Sequence, residues 1–374
     1  MQRILYLTDS LMAGGTEQQL VELLTRLDRR RFEPHVVCLY GSQVGRSLHF
    51  LSSLRQMNIP VTLLDLGWSF IDKLTGVANI TREVWRIRPQ IVQAVNYHSN
   101  LLIRLARPLL PSAIRLVGCI YVEYTPKQLF YERLSSCLCA ALICNSPTIE
   151  SQLRTLVPAA RLHRILNGID LQRFTRNPDP LLRARIAPQA RRILLFMGRV
   201  TQQKAPCLLI EAIGRLKQRD QLPIGTIIWI VGEVETAQPF EAAVRDSGLE
   251  RIITCFPPTA QPEVFYHAAD VVILPSLWEG LPNVMLESLA SGRPVIASQA
   301  ANSAGVVQPE ANGWVFPTGD VEALAEVVHQ ALRLSDRELA SMRTNCQQSV
   351  DAYAVEVMVQ RYEALYDSLL STRS

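Results

Sequence analysis

From the first residue, short apolar runs alternate with longer stretches in which apolar positions recur at helical spacing. The short runs are Arg3–Thr8, Pro34–Tyr40, Val61–Leu64, Gln90–Val95, Ile114–Ile120 and Ala140–Cys144, and Thr16–Leu27 and Asp72–Ile87 are two of the amphipathic stretches between them. Alternation of this kind predicts parallel strands joined by crossover helices, hence a doubly wound α/β domain. At Thr175-Arg176-Asn177-Pro178-Asp179-Pro180 the pattern breaks into a Pro-rich polar stretch that reads as a linker. A second series then begins, with strands predicted at Arg192–Met197, Thr226–Val231, Arg251–Cys255, Val271–Leu274 and Pro294–Ala297 and helices at Ala205–Gln218 and Val284–Ser291.

The same order of strand, glycine-containing turn and helix opens both halves. Two similar Rossmann-like domains are therefore expected, 1–175 and 176–351, facing each other across a cleft with ligands at the C-terminal ends of their strands. Beyond residue 320 the chain reads as mostly helical, and the last helix, about 352–374 with Tyr353, Tyr362 and Tyr366, is expected to pack back on the first domain.

With 374 residues, 48% of them hydrophobic and 19% charged, the chain is too apolar for disorder and long enough for two cores. Its charge is unevenly placed. Residues 1–175 hold 20 Lys/Arg against 12 Asp/Glu, and residues 176–374 hold 18 against 22. The basic half suggests an anionic partner, a membrane surface or a phosphate-bearing molecule, with unpatterned surface arginine as the alternative. Clustered excess charge of the kind duplex DNA asks for is missing, so no nucleic-acid partner is expected.

The cysteines support a reducing compartment. Cys38, Cys119, Cys144 and Cys255 sit inside apolar strand-like runs and read as buried thiols, while Cys137 and Cys139 are one residue too close for zinc spacing. Met1–Thr8 reads as a strand rather than a leader, so the expected location is cytoplasmic. The richest apolar stretch, Leu101–Ile120, is interrupted by Arg104, Arg107, Pro108, Pro111 and Arg115, which argues for contact with a membrane at most and not for a span.

Three segments carry candidate chemistry. The first strand runs into Gly14-Gly15-Thr16-Glu17, a turn whose amides can approach a polar or anionic ligand, or a plain tight turn. After the first strand of the second half stands Gly198-Arg199-Val200-Thr201-Gln202-Gln203-Lys204, where a guanidinium and an ammonium can converge on a diphosphate or stand apart as surface cations. The third segment, Pro275-Ser276-Leu277-Trp278-Glu279-Gly280-Leu281-Pro282-Asn283-Val284-Met285-Leu286-Glu287, places one carboxylate in a loop and another in the following helix. Carboxylates accept from paired sugar or ribose hydroxyls; a loop acid beside a solvated helix acid is the other reading.

In combination these segments resemble the retaining nucleotide-sugar glycosyltransferases of family 4, which have the GT-B fold. Asn96-Tyr97-His98-Ser99-Asn100, Cys144-Asn145-Ser146, Ile165-Leu166-Asn167-Gly168-Ile169-Asp170 with Phe174, and Gly292-Arg293-Pro294-Val295 add to the match, which covers essentially the whole chain. The resemblance implies transfer of a sugar from a UDP- or GDP-sugar to a hydroxyl of a carbohydrate or lipid-linked acceptor, in polysaccharide or glycolipid assembly. Arg199 and Lys204 would hold the donor diphosphate, Glu287 the ribose and Glu279 the sugar hydroxyls. The amides of Gly280 and Leu281 would face the sugar and those of Asn283 and Val284 a phosphate. Gly14 and Gly15 would close over donor and acceptor, and His98 would lie near the transferred sugar. No cofactor or metal is implied, since no Asp-x-Asp occurs and the two cations supply the charge. A sugar-nucleotide epimerase or hydrolase, or a binding scaffold without catalysis, are the alternatives on the same fold. Phe256-Pro257-Pro258 and the single glycine of Val231-Gly232-Glu233-Val234-Glu235 depart from the family pattern near the expected donor base, leaving uridine and guanosine both open.

Overall fold

The computed structural model describes residues 1–41, 48–67, 69–176, 179–235 and 237–371. The chain forms two compact units, one of Met1–Gly168 with Val355–Ser374 and one of Ile169–Ala354. The composition break pointed to a passage after residue 175, yet residues 169–176 pack within the second unit. There Phe174 is buried against Tyr266, and Arg173 bonds Glu263 at 2.8 Å.

The first unit holds a parallel seven-stranded sheet of β1 (Gln2–Thr8), β2 (Phe32–Cys38), β3 (Val61–Leu63), β4 (Ile91–Val95), β5 (Arg115–Ile120), β6 (Ala141–Cys144) and β7 (Leu162–Arg164), in the order β3-β2-β1-β4-β5-β6-β7. Alternate residues of β1 feed opposite faces. Ile4 and Tyr6 join Leu20, Leu23 and Leu24 of the helix Gly15–Arg26 and Val355, Met358, Tyr362 and Tyr366 of the helix Val355–Ser371. Leu5 and Leu7 join Ile80 and Val84 of the helix Phe70–Ile87 and Leu102 and Ile103 of the helix Tyr97–Ala106. Coverage on both faces is why β1 reads as an unbroken apolar run. The C-terminal helix is further tied in by polar groups, since Tyr366 donates to Gln93 Oε1 at 2.6 Å and Tyr362 and Tyr121 share a 2.6 Å hydroxyl contact. Gly168 lies so close beneath this helix that a Cβ would stand 2.7 Å from Val355 Cα.

The second unit holds a parallel six-stranded sheet of β8 (Arg192–Met197), β9 (Thr226–Val231), β10 (Ile253–Phe256), β11 (Val271–Leu274), β12 (Val295–Ser298) and β13 (Gly313–Phe316), in the order β10-β9-β8-β11-β12-β13. In each sheet the winding direction reverses once, between β1 and β4 and between β8 and β11. Chain leaving the C-terminal ends of those neighbours diverges and leaves a crevice, the place where open α/β sheets bind ligands. The edge strands β7 and β13, three and four residues long, are not apparent in the apolar pattern of the sequence.

Cys255 and Arg104 depart from what the sequence suggests. Cys255 is exposed rather than buried, because β10 is an edge strand with little covering it; all eight cysteines are free, and Cys38, Cys119, Cys139, Cys144 and Cys346 are buried. Arg104, counted among the basic residues available to a surface, is only 4% exposed. Its guanidinium bonds Glu132 at 2.8 Å and Asn100 at 3.3 Å. Arg107 is likewise engaged, donating to the carbonyls of Pro111 and Ser112. No helix among the described residues is long and apolar enough to cross a membrane.

Candidate active site

In the second unit the crevice falls between the loops that follow β8 and β11. Those strands pair in parallel, Val271 opposite Leu194, so the two loops leave the same edge side by side. Lys204 and Glu279 meet there, Nζ to Oε1 at 2.5 Å, with side chains 16% and 9% exposed. The loops are stitched together beside them, Leu277 N donating to Gln203 O at 2.8 Å and Gln203 Nε2 to Trp278 O at 3.0 Å. An ammonium with three protons can keep its bond to Glu279 and still donate to an arriving oxyanion.

Arg199 is set by the next strand outward. Gly198 and Gly232 end β8 and β9 with φ of +137° and +148°, and a Cβ on Gly232 would overlap the Gly198 carbonyl. This close approach aligns Val200 with Val234 and brings Arg199 Nη1 to 3.1 Å from Glu235 Oε1. Thus Glu235, in the turn that departs from the family pattern by lacking a second glycine, is the partner of Arg199. Phe256, in the other departing segment, packs its ring edgewise on Trp229 and Phe265.

Beyond Glu279 the chain passes buried Gly280 and Leu281 to the helix Asn283–Ala290, whose N-cap is Pro282 and whose first turn is not capped by a side chain. Gly280 O accepts from Ser303 Oγ at 2.9 Å, which fixes the loop. Asn283 is buried and Val284 half-buried at the positive end of the helix dipole, an end that favours anions. Glu287, one turn on, is 5% exposed and accepts from Tyr266 OH at 2.7 Å. Burial, with the Glu287 carboxylate beside it, raises the Tyr266 phenol well above its ordinary pKa and keeps it a donor. The structure therefore gathers Arg199, Lys204, Glu279, Gly280, Leu281, Asn283, Val284 and Glu287 on the loops and helix start around one sheet edge.

In the first unit the corresponding crevice lies between the ends of β1 and β4. Gly14 is the N-cap of the helix Gly15–Arg26, in extended conformation, and Glu17 folds back over it to accept from Ser10 Oγ at 2.7 Å. His98 follows β4, half-buried, with Tyr40 and Tyr97 edge-on to its ring. Asp9, just after β1, ties these segments together. It accepts from Ser99 N at 2.7 Å, from Ser99 Oγ and from His98 N at 3.2 Å, and lies 3.6 Å from His98 Nδ1. Burial pushes the Asp9 carboxyl above the ordinary aspartate value, against the hydrogen bonds of Ser99 and the charge of His98. Among the described residues no three His, Cys, Asp or Glu side chains cluster as a metal site.

Comparison with known proteins decides the family. Residues 13–173 match the family model Glycosyltransferase Family 4, and residues 191–333 match Glycosyl transferases group 1. The chain belongs to the family 4 glycosyltransferases. The chain is 29% identical to D-inositol 3-phosphate glycosyltransferase 1 of Catenulispora acidiphila over 61% of its own length and 57% of the relative's. It is 22% identical to UDP-Gal:alpha-D-GlcNAc-diphosphoundecaprenol alpha-1,3-galactosyltransferase of Escherichia coli over 95% and 94% of the two chains. The chain spans only 50 to 57% of the length of three of the curated relatives it matches. In fold it is similar to the Anabaena protein HepE, crystallised with UDP and glucose, with a TM-score of 0.83, 19% identity, and coverage of 98% of this chain and 100% of that one. The two Rossmann-like units are those of the GT-B fold.

Asp9, Glu235 and Tyr266 join the site through the fold and not through a sequence motif. Asp9 carries a usable signal, an acid directly after the first strand and ahead of the Gly-Gly turn. Tyr266 carries none, because it reaches Glu287 from a different helix 21 residues away.

Proposed function

We propose that this protein transfers a sugar from a nucleotide-diphosphate sugar to an acceptor hydroxyl with retention of anomeric configuration. The observation that carries the reading is the Lys204–Glu279 pair beside Arg199, in the sheet crevice that also receives the start of the helix bearing Glu287. In this reading Arg199 and Lys204 bind the diphosphate and neutralise the charge that grows on it as the bond to the anomeric carbon breaks. Glu287, oriented by Tyr266, receives the ribose hydroxyls, and Glu279 receives hydroxyls of the sugar. The acceptor oxygen bonds to the anomeric carbon on the face the diphosphate leaves, and its proton passes to the departing phosphate oxygen, so no side chain has to act as base. His98 and the Gly14-Gly15 turn, in this reading, contact sugar and acceptor. In this reading the two cations supply the charge that a divalent ion otherwise would, and turnover is expected to continue with a chelator present.

The donor in this reading is a UDP- or GDP-sugar and the acceptor a carbohydrate or lipid-linked hydroxyl, in polysaccharide or glycolipid assembly at the inner face of a membrane. A peripheral contact is supported by the helix Pro126–Ser135 and the turn after it. The inward face carries Glu132, whereas Phe130, Tyr131, Leu134 and Leu138 point outward with exposures of 59, 41, 63 and 40%, flanked by exposed Lys127 and Arg133. Apolar side chains ringed by cations suit an anionic lipid surface. Sedimentation with anionic vesicles tests this contact, and a protein that stays in the supernatant at low salt contradicts it.

Turnover tests the main reading. A panel of UDP- and GDP-sugars is incubated with and without lipid-linked and oligosaccharide acceptors, and the anomer formed is read by NMR. Acceptor-dependent release of nucleotide diphosphate with a retained anomer supports transfer. Consumption without an acceptor would favour an epimerase or hydrolase, and binding without consumption a scaffold.

A further inference from the structure

At the opposite end of the second sheet, where the strands begin rather than end, a cavity of about 700 Å³ is lined by five arginines, Arg183, Arg191, Arg192, Arg293 and Arg343. Arg191 and Arg192 stand at the start of β8, Arg293 precedes β12, and Arg343 comes from the helix Asp336–Gln348. Two carboxylates share the lining, and both are already engaged. Asp270 takes Arg183 at 2.8 Å and the Ile193 amide at 2.7 Å, and Asp336 takes Arg192 at 2.6 Å.

Among the described residues, no carboxylate comes within ion-pair distance of Arg191, Arg293 or Arg343. Arg293 spends one nitrogen on the His267 carbonyl at 2.6 Å, yet its Nε is buried with no hydrogen-bond partner. The Nε of Arg192, a residue only 5% exposed, is in the same state. The stem of Arg343 is laid against Gly292, where φ is +69° and a Cβ would overlap Arg343 Cγ, which holds its guanidinium beside the others. Burial, with Arg343 and Arg183 nearby and against the pull of Asp270, depresses the Arg293 pKa. A network built only to brace the fold would pair its charges, since buried donors and charges left unmatched are costly. Here the half-buried Arg293 and two buried N–H groups are left unmatched, and the exposed Arg191 and Arg343 add two further guanidiniums around the same open volume.

We propose that this cavity is a second anion site, for a small molecule bearing a phosphate or diphosphate. Guanidinium forks match phosphate oxygens two at a time, and the volume exceeds what an inorganic phosphate fills while suiting a phosphorylated sugar or nucleotide. It is separate from the Arg199/Lys204 crevice, because the two lie at opposite ends of the same parallel strands.

The test is calorimetric titration of the full chain with inorganic pyrophosphate and with a hexose 6-phosphate, in wild type, in Arg199→Ala/Lys204→Ala and in Arg191→Ala/Arg343→Ala. Arg191 and Arg343 are exposed, so the second pair of substitutions leaves the core intact. In Arg199→Ala/Lys204→Ala a saturable site is expected to remain. In Arg191→Ala/Arg343→Ala its affinity is expected to fall at least about tenfold, as loss of charge-assisted bonds predicts. Tighter binding of the hexose phosphate than of pyrophosphate identifies an organic phosphate as occupant, and the reverse an inorganic one. Absence of any saturable site in Arg199→Ala/Lys204→Ala, or equal affinity in Arg191→Ala/Arg343→Ala and wild type, would overturn the proposal.

Discussion

Lys204 Nζ and Glu279 Oε1 lie 2.5 Å apart although 75 residues separate them in the chain. Parallel pairing of β8 with β11 makes the contact, and the low exposure of both side chains makes it costly to break from one side. Lys204→Met is expected to strip Glu279 of its partner and cost about 3 kcal/mol, whereas Lys204→Met/Glu279→Gln recovers most of that, since breaking a buried pair costs more than replacing it. Urea denaturation of the two single variants and the double one measures this coupling. Activity is expected to follow a different order, Lys204→Met lowering transfer by about a hundredfold or more and the double variant not restoring it.

Tyr266→Phe removes one hydrogen bond from a buried carboxylate and leaves the ring in place. A stability loss of about 1–3 kcal/mol is expected. Because Glu287 then loses the group that aims it, the KM for the donor is expected to rise with kcat little changed. A change confined to kcat would contradict the orienting role.

Asp9 gives a pH signature. Its folded-state pKa lies above the ordinary value because it is buried, so between the unfolded and the folded pKa the native state holds the extra proton and stability falls as pH rises. Asp9→Asn does not titrate. The stability of wild type relative to Asp9→Asn is therefore expected to decline as pH rises out of the ordinary aspartate range, measured by urea denaturation in steps from acid towards neutrality. A difference that grows in favour of wild type instead would mean that Ser99 and His98 outweigh burial.

The buried Arg104–Glu132 pair separates fold from surface. Arg104→Met is expected to cost about 3–5 kcal/mol by stranding Glu132, and Arg104→Met/Glu132→Leu to regain most of it. Vesicle sedimentation of the double variant is expected to match wild type, while Phe130→Ser/Leu134→Ser is expected to stay in the supernatant.

Much of this architecture was legible because parallel strands covered on both faces leave long apolar runs; β1, β4, β8 and β11, the strands that frame the crevices, are all of that kind. Short edge strands leave no such trace. β7 is three residues, Leu-His-Arg, and β13 begins at a glycine needed for contact with the Val295 backbone rather than for burial. Residue spacing could nominate Arg199, Lys204, Glu279 and Glu287, since they stand in local motifs. It could not reveal Tyr266 or Glu235, whose roles come from helix and strand packing. Nor could it separate Arg104 from a surface arginine, because what buries it is Glu132 on another helix.

The proposed transfer depends on the β8–β11 crevice binding a nucleotide-diphosphate sugar. The most direct measurement is a calorimetric titration of the full chain with UDP, GDP and their sugars in the presence of a chelator, repeated with Glu287→Ala. Saturable binding of one base without metal is expected, weakened at least about tenfold in the variant by loss of charge-assisted bonds to the ribose. No saturable binding by any nucleotide, or binding that Glu287→Ala leaves unchanged, would contradict it.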